Sequence, residues 1–204
     1  MALKIKTSNG PFKPDSLILG VDPGSQHTGY GLIITGQAGL KLVAQGRFSP
    51  SASWPLPRRL AYVHRHISQL ISAHQPQTVA VEDIFYGKNV RSALKLGHVR
   101  GVILLAAAQA GAEVFEYPPT LVKNTVAGYG QAEKSQVARM VGELLKFTEP
   151  MAPDAADALA VAICHASQCS LSHLLPGGRK SGRGGWRGLS PEDLATLNYD
   201  PGKL

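Results

Sequence analysis

Four carboxylates stand in or beside the most apolar runs of the chain: Asp22, Glu82, Asp154 and Asp157. Asp22 closes one apolar run, Leu17-Ile-Leu-Gly-Val-Asp22, and Glu82 interrupts another, Thr78-Val-Ala-Val-Glu82. Asp154 and Asp157 open an Ala-rich segment, Pro153-Asp-Ala-Ala-Asp157. The chain has only 14 acidic residues, so placing these four in or beside its most apolar segments needs a reason. A carboxylate among aliphatic side chains is costly unless something pairs with it. No basic residue lies inside these runs, which makes a divalent cation the expected partner. Oxygen donors without a Cys/His cluster select Mg²⁺ or Mn²⁺ over zinc. The chemistry is then two-metal phosphodiester hydrolysis, with two ions about 3.5–4 Å apart flanking the scissile phosphate. No nucleophilic side chain is required.

Each acid also has a plainer explanation. Asp-Pro-Gly after a strand is a common turn. Asp154 fits an N-cap after Pro153, and Asp157 fits a first-turn acid that complements the helix dipole. Glu82 is harder to explain away, because an acid in a core strand, on the face of Ala80 and Ile84, is unusual. Together the four make a stronger case. In a parallel α/β sheet, the C-terminal ends of the strands and the helix N-termini after them share one edge. Seven histidines are scattered along the chain, and most read as surface or helix-face residues.

The elements that must position these acids follow from periodicity. Leu17–Asp22 reads as a buried strand ended by Pro23-Gly24. Runs at 29–34 and 40–47 form a hairpin with a loop over 35–39. Residues 56–74 form a helix with Leu60, Val63, Ile67, Leu70 and Ile71 on one face, ended by Pro76. A strand over 78–84 follows, then a long helix capped by Asn89 and running to about Ala110. A short strand over 113–117 stops at Pro118-Pro119. Residues 120–127 make one or two helical turns, 133–147 an amphipathic helix, and 154–168 the last core helix. An antiparallel start feeding into βαβ crossovers gives a mixed sheet flanked by helices, the ribonuclease H-like order.

Composition bounds the rest. The 204 residues are 44% hydrophobic, enough for one domain, which we place at 17–170. Residues 1–16 read as a flexible leader. The stretch 171–204 reads as a disordered tail; its segment 177–187 holds four basic residues, five glycines and no acid. Cys164 and Cys169, five apart on one predicted helix, suit neither a disulfide nor a zinc site and read as reduced thiols of a cytoplasmic protein. No signal peptide or membrane-spanning run is evident. The net charge of +7 points to a polyanion, and without a basic amphipathic helix nucleic acid is favoured over membrane.

A basic span runs from Lys88 through Arg91, Lys95, Arg100, Lys123 and Lys134 to Arg139, against only Glu113, Glu116 and Glu133. These are the candidate phosphate contacts, although Arg139 also fits a solvated helix face. Phe85-Tyr86, three residues past Glu82, suit base stacking, with core packing an equal alternative.

Several blocks in order closely resemble the RuvC family of bacterial Holliday-junction endonucleases: Leu19-Gly-Val-Asp-Pro-Gly-Ser25, Thr28-Gly-Tyr-Gly31, Val81-Glu-Asp-Ile-Phe85, Lys88-Asn89, Ser92-Ala-Leu-Lys-Leu-Gly97, Arg100-Gly101, Phe115-Glu-Tyr117, Ala132-Glu-Lys-Ser135 and Asp154-Ala-Ala-Asp-Ala-Leu159. The resemblance covers about residues 17–168. It implies a homodimer of ribonuclease H-like fold, nicking two opposed strands of a four-way DNA junction with Mg²⁺, in recombination and repair. It implies two Mg²⁺ per active site, with Mn²⁺ as a substitute, and work alongside a RuvA–RuvB branch-migration complex. The family's acid set falls on Asp22, Glu82, Asp154 and Asp157, its stacking aromatic on Phe85, and its DNA-contacting lysines on Lys123 and Lys134. The helix over 89–110 would lie at the dimer interface. Two rivals are weaker. An actin-type ATPase needs a second similar domain, for which 204 residues leave no room. A silent junction-binding protein would not need four intact acids.

Overall fold

The computed structural model describes residues 15–83 and 90–174, with side chains described as far as 170. Strand β1 (Leu17–Asp22) is followed by β2 (Thr28–Gly36), β3 (Gly39–Phe48), helix α1 (Leu56–His74) and β4 (Thr78–Glu82). Then come α2 (Val90–Gln109), β5 (Glu113–Tyr117), α3 (Pro119–Ala127), α4 (Lys134–Leu145) and α5 (Pro153–Leu174). The five strands form one sheet in the order β3-β2-β1-β4-β5. β1 pairs antiparallel with β2 and parallel with β4, and β4 pairs parallel with β5. This is the mixed, ribonuclease H-like sheet that the sequence predicts.

β1 lies at the centre and is buried on both faces, which is why its run is almost continuously apolar. Leu19, Val21, Val79 and Val81 face α1 and α2, packing on Val63, Ile67, Ile71 and Ile103. Ile18, Ile33 and Ala80 face α5, which α3 and α4 cover through Val122, Val137 and Val141. The alanines of α5 have a reason. The helix lies so close to the sheet that a Cβ on Gly20 would stand 2.1 Å from the Ala158 carbonyl oxygen and 2.9 Å from the Ala162 Cβ.

Several boundaries differ from the sequence reading. The hairpin loop over 35–39 is shorter than expected: Gly36 pairs with Gly39, leaving Gln37-Ala38 as the turn. β4 ends at Glu82, and the backbone N–H of Asp83 then donates to the Tyr117 carbonyl, 2.9 Å away. Helix α1 keeps its expected span of 56–74, closed by Gln75 in the left-handed region one residue before Pro76. Three helices follow β5, and Pro119 opens the first of them instead of ending the strand alone. α4 begins at Lys134 because Glu133 caps it, its backbone N–H donating to the Gln136 side chain 3.0 Å away. α5 runs on to Leu174, past the expected end at 168. Asn89 as a cap, the leader up to residue 14 and most of the tail lie outside the described residues.

Candidate active site

The register of two parallel strands brings the first pair of acids together. Val21 lies opposite Val81, so Asp22 and Glu82 end neighbouring strands at the same level. Alternation puts both on the face that α5 covers, with Gly20 and Ala80 below them. There the Asp22 and Glu82 carboxyls share a hydrogen bond. Burial pushes Glu82 up to about 8, and the neighbouring Asp22 charge pushes it the same way. Burial also raises Asp22, to about 6, and the Asp157 charge adds to this. Lys134 opposes the rise in both.

The second pair comes from the first turns of α5. Pro153 opens the helix, and the Ala155 and Ala156 N–H groups both donate to the Ala152 carbonyl at 3.0 Å. Asp154 is therefore inside the first turn and does not cap it. The negative charges of Asp157 and Asp154 both reach Asp22, so all four acids converge on one edge of the sheet. Gly29 permits this. A Cβ there would stand 1.9 Å from the Asp154 carbonyl oxygen, so only glycine lets β2 pass under the start of α5.

The partners of the helix acids correct one step of the sequence argument. No basic residue lies in the acidic runs, yet two distant ones reach them. Lys134 Nζ donates to Asp157 Oδ2 at 2.6 Å, and this hydrogen bond raises the lysine's pKa. Arg47 Nη1 lies 3.5 Å from Asp154 Oδ2. Arg47 was invisible in the sequence. It pairs with Gly29 across the β2–β3 ladder, so its side chain leans over the space that glycine leaves open, toward α5. Among the described residues, no three His, Cys, Asp or Glu side chains are grouped so as to hold an ion as they stand. The donor chemistry still fits a divalent cation. Four oxygen-donor groups repel one another at one edge, and a 2+ charge would let Glu82 release its proton and would replace Lys134 and Arg47 as counter-ions.

The other expected residues separate. Phe85, Tyr86 and Lys88 lie outside the described residues. Arg91 is exposed in the first turn of α2, and Lys123 is half-buried on α3. Lys134 is largely exposed on α4 and reaches Asp157 at the acidic site. Arg100 is committed elsewhere: its guanidinium pairs with Asp83 at 3.3 Å and with Glu116. Arg139 pairs with Glu143 one turn away, as a solvated helix face would. His165 does not match the surface reading of the histidines. It is buried on α5, with Nδ1 2.7 Å from the Tyr117 hydroxyl, and burial lowers its pKa to about 4. Tyr117 sits opposite Glu82 in the β4–β5 ladder, so this buried pair braces the strand beside the site. Its one sequence signal was a histidine inside an Ala-rich run.

Known proteins match this chain along most of its length. The family model for crossover junction endodeoxyribonuclease RuvC matches residues 18–165. The crossover junction endodeoxyribonuclease RuvC of Acidobacterium capsulatum is 53% identical over 156 residues, covering 72% of this chain and 91% of that protein. That of Sorangium cellulosum is 43% identical over 158 residues, covering 78% and 88%. The solved structure of Thermus thermophilus RuvC in complex with Holliday junction substrate superposes with a TM-score of 0.72 at 34% identity, covering 76% of this chain and 96% of that one.

Proposed function

The chain belongs to the RuvC family of crossover junction endodeoxyribonucleases, and from that premise we propose that Asp22, Glu82, Asp154 and Asp157 are the carboxylates with which it resolves four-way DNA junctions by paired, symmetric nicks. One observation carries the reading: two acids that share a hydrogen bond on adjacent strand ends, with the charges of two more reaching them from a helix start. A structural role would not collect so much negative charge at one edge. The reaction is hydrolysis of a phosphodiester, divalent-metal dependent and serving recombination and repair.

The four carboxylates would hold two Mg²⁺ ions, and Mn²⁺ would substitute. When bound, these ions supply acidity for the attacking water and charge for the leaving 3′ oxygen. The chain's own residues set the stage for this. Glu82 and Asp22 would hold the cation as ionised carboxylates, without the proton that burial favours on Glu82. With Asp157 holding a cation, Lys134 would keep its ammonium at the site for the phosphate. Arg47 does the same beside Asp154. Tyr117 and His165 hold the end of β5 against the Glu82 strand.

Further parts of the reading rest on the family and on sequence. Phe85 and Tyr86 stack on bases at the crossover, and Lys88, Arg91 and Lys123 contact backbone phosphates. α2 forms the homodimer interface, which suits its exposed Val90, Leu94 and Leu105. The RuvA–RuvB complex is the partner for branch migration. The setting is cytoplasmic. In line with that, the buried Cys164 thiol is unoxidised.

The test is a synthetic four-way junction beside a matched linear duplex, each with and without Mg²⁺. Paired nicks in the junction alone, and only with the metal, are expected. Equal cutting of the linear duplex would refute the reading.

A further inference from the structure

Arg100 takes no part in the chemistry above, yet it holds the two strand ends beside Glu82. Its Nη2 lies 3.3 Å from Asp83 Oδ1 and also bonds Glu116 Oε1. Asp83 follows Glu82 directly, and Glu116 pairs in register with Val81. Glu82 and Tyr117 sit on the face that α5 covers, so the guanidinium, on α2, grips both strands from the other side. The Arg100 side chain is only 22% exposed, and its Nε is shut off from solvent with no hydrogen-bond partner among the described residues. Burial raises the Glu116 pKa, Arg100 opposes the rise, and the Asp83 charge adds to it. A half-buried ion cluster of this kind adds little net stability over apolar side chains of the same volume, so stability alone does not account for it.

What the cluster fixes is geometry. The Asp83 N–H donates to the Tyr117 carbonyl at 2.9 Å, just past the end of β4. The Tyr117 hydroxyl is anchored in turn by His165, 2.7 Å away. The peptide that links Glu82 to Asp83 is therefore held by Arg100 on one face of the sheet and through Tyr117 on the other. Glu82 has need of this. Its carboxyl shares a hydrogen bond with Asp22, and one of the two must be protonated to make it. Two ionised carboxylates lose that bond and repel, so the end of β4 must then set where Glu82 stands.

We propose that Arg100 is a positioning residue for Glu82: by gripping Asp83 and Glu116 from the α2 face, it fixes the end of β4 so that the ionised Glu82 stands ready for a divalent cation. This rests on the carboxylate reading above and deepens it. A ligand held in place beforehand spends less of the binding energy on ordering itself.

The test reads metal affinity without DNA, from the rise in melting temperature as Mn²⁺ is titrated onto the full chain. Wild type, Arg100→Gln, Arg100→Lys and Glu82→Gln are compared with the double variant Arg100→Gln/Glu82→Gln. Arg100→Gln should weaken Mn²⁺ binding about tenfold, the lower end of what losing an outer partner of a metal ligand costs. Coulomb's law alone gives the opposite sign, because a cation beside the acids is gone. In the Glu82→Gln background the same substitution should change affinity by less than about twofold, since its effect runs through Glu82. Arg100→Lys should recover most of the loss, because Nη2 alone makes both contacts. If Arg100→Gln does not fold, Asp83→Asn, at a half-exposed position, takes its place with the same loss expected in the wild-type background and little in Glu82→Gln. Junction affinity in EDTA should not move for any Arg100 variant. An unchanged Mn²⁺ affinity, an equal loss with and without Glu82, or an Arg100→Lys variant no tighter than Arg100→Gln would overturn the positioning role. A fall in junction affinity with Mn²⁺ affinity intact would overturn it too, and make Arg100 a DNA contact. If Mn²⁺ does not raise the wild-type melting temperature, or Glu82→Gln leaves the affinity unchanged, the carboxylate reading itself fails.

Discussion

The carboxyl groups of Asp22 and Glu82 share one hydrogen bond across adjacent parallel strand ends, and burial raises the pKa of both. At neutral pH, in the absence of a cation, the pair retains a proton that either side chain would lose in water.

Metal-free stability should therefore fall as pH rises. An acid whose pKa is raised on folding stabilises the protein below its unfolded value, and that contribution is lost as pH passes the folded value. For Glu82 the ordinary value is 4.5 and the folded one about 8. His165, lowered from 6.5 to about 4, acts with the opposite sign but only below 6.5. The clean window is pH 6.5–8, below the ordinary value of 9 from which burial raises the Cys164 and Cys169 thiols. Over it, the melting temperature in EDTA should drop for wild type and stay nearly flat for Glu82→Gln. The two curves should diverge by a few degrees across the window, at roughly 2–4 °C per kcal/mol for a chain of this size. Parallel curves would remove the shared proton.

Neutralising the acids should separate cutting from binding. Asp22→Asn, Glu82→Gln and Asp154→Asn should each slow junction cleavage by more than the roughly 10–100-fold typical of losing an outer partner of a metal ligand. Junction affinity should hold or rise, because a negative charge beside phosphate is gone. Near-normal cleavage by any one of the three would remove that residue from the set.

Lys134 counters the rise in both strand acids and bonds to Asp157. Without its charge both strand acids should hold protons to higher pH. Lys134→Met should move the rising limb of the cleavage pH profile upward and cost roughly 10–100-fold at pH 7. Lys134→Arg should recover most of the profile. A lysine that only contacts DNA would lower affinity and leave the profile in place.

Gly29 and Arg47 test the geometry from opposite sides of the β2–β3 ladder. Gly29→Ala would put a Cβ 1.9 Å from the Asp154 carbonyl oxygen, so backbone must move. It should cost about 1–3 kcal/mol in stability, with much of the cleavage. Arg47→Met removes a half-exposed ion pair at 3.5 Å and should leave stability within about 1 kcal/mol. Its cleavage should still fall, and more Mg²⁺ should be needed to saturate it. Melts and metal titrations of both variants check this.

The elements and the acids could be read from the chain because both are written locally. Alternation and helical spacing placed β1, α1, β5 and α4 to within a residue or two, and an acid ending an apolar run marks itself. The ends of β4 and α5 and the two-residue hairpin turn were harder, since hydrogen bonds such as Asp83 to Tyr117 set them from outside the segment. What only the tertiary structure decided is the company each acid keeps. Parallel register set Asp22 beside Glu82, the β2–β3 ladder brought Arg47 over Gly29 to Asp154, and the packing of α4 on α5 carried Lys134 to Asp157. These contacts join residues dozens or more than a hundred positions apart. Sequence periodicity determines which face a residue takes on its own element, whereas Coulomb and hydrogen-bond energies depend on distances that exist only once the sheet and helices have packed.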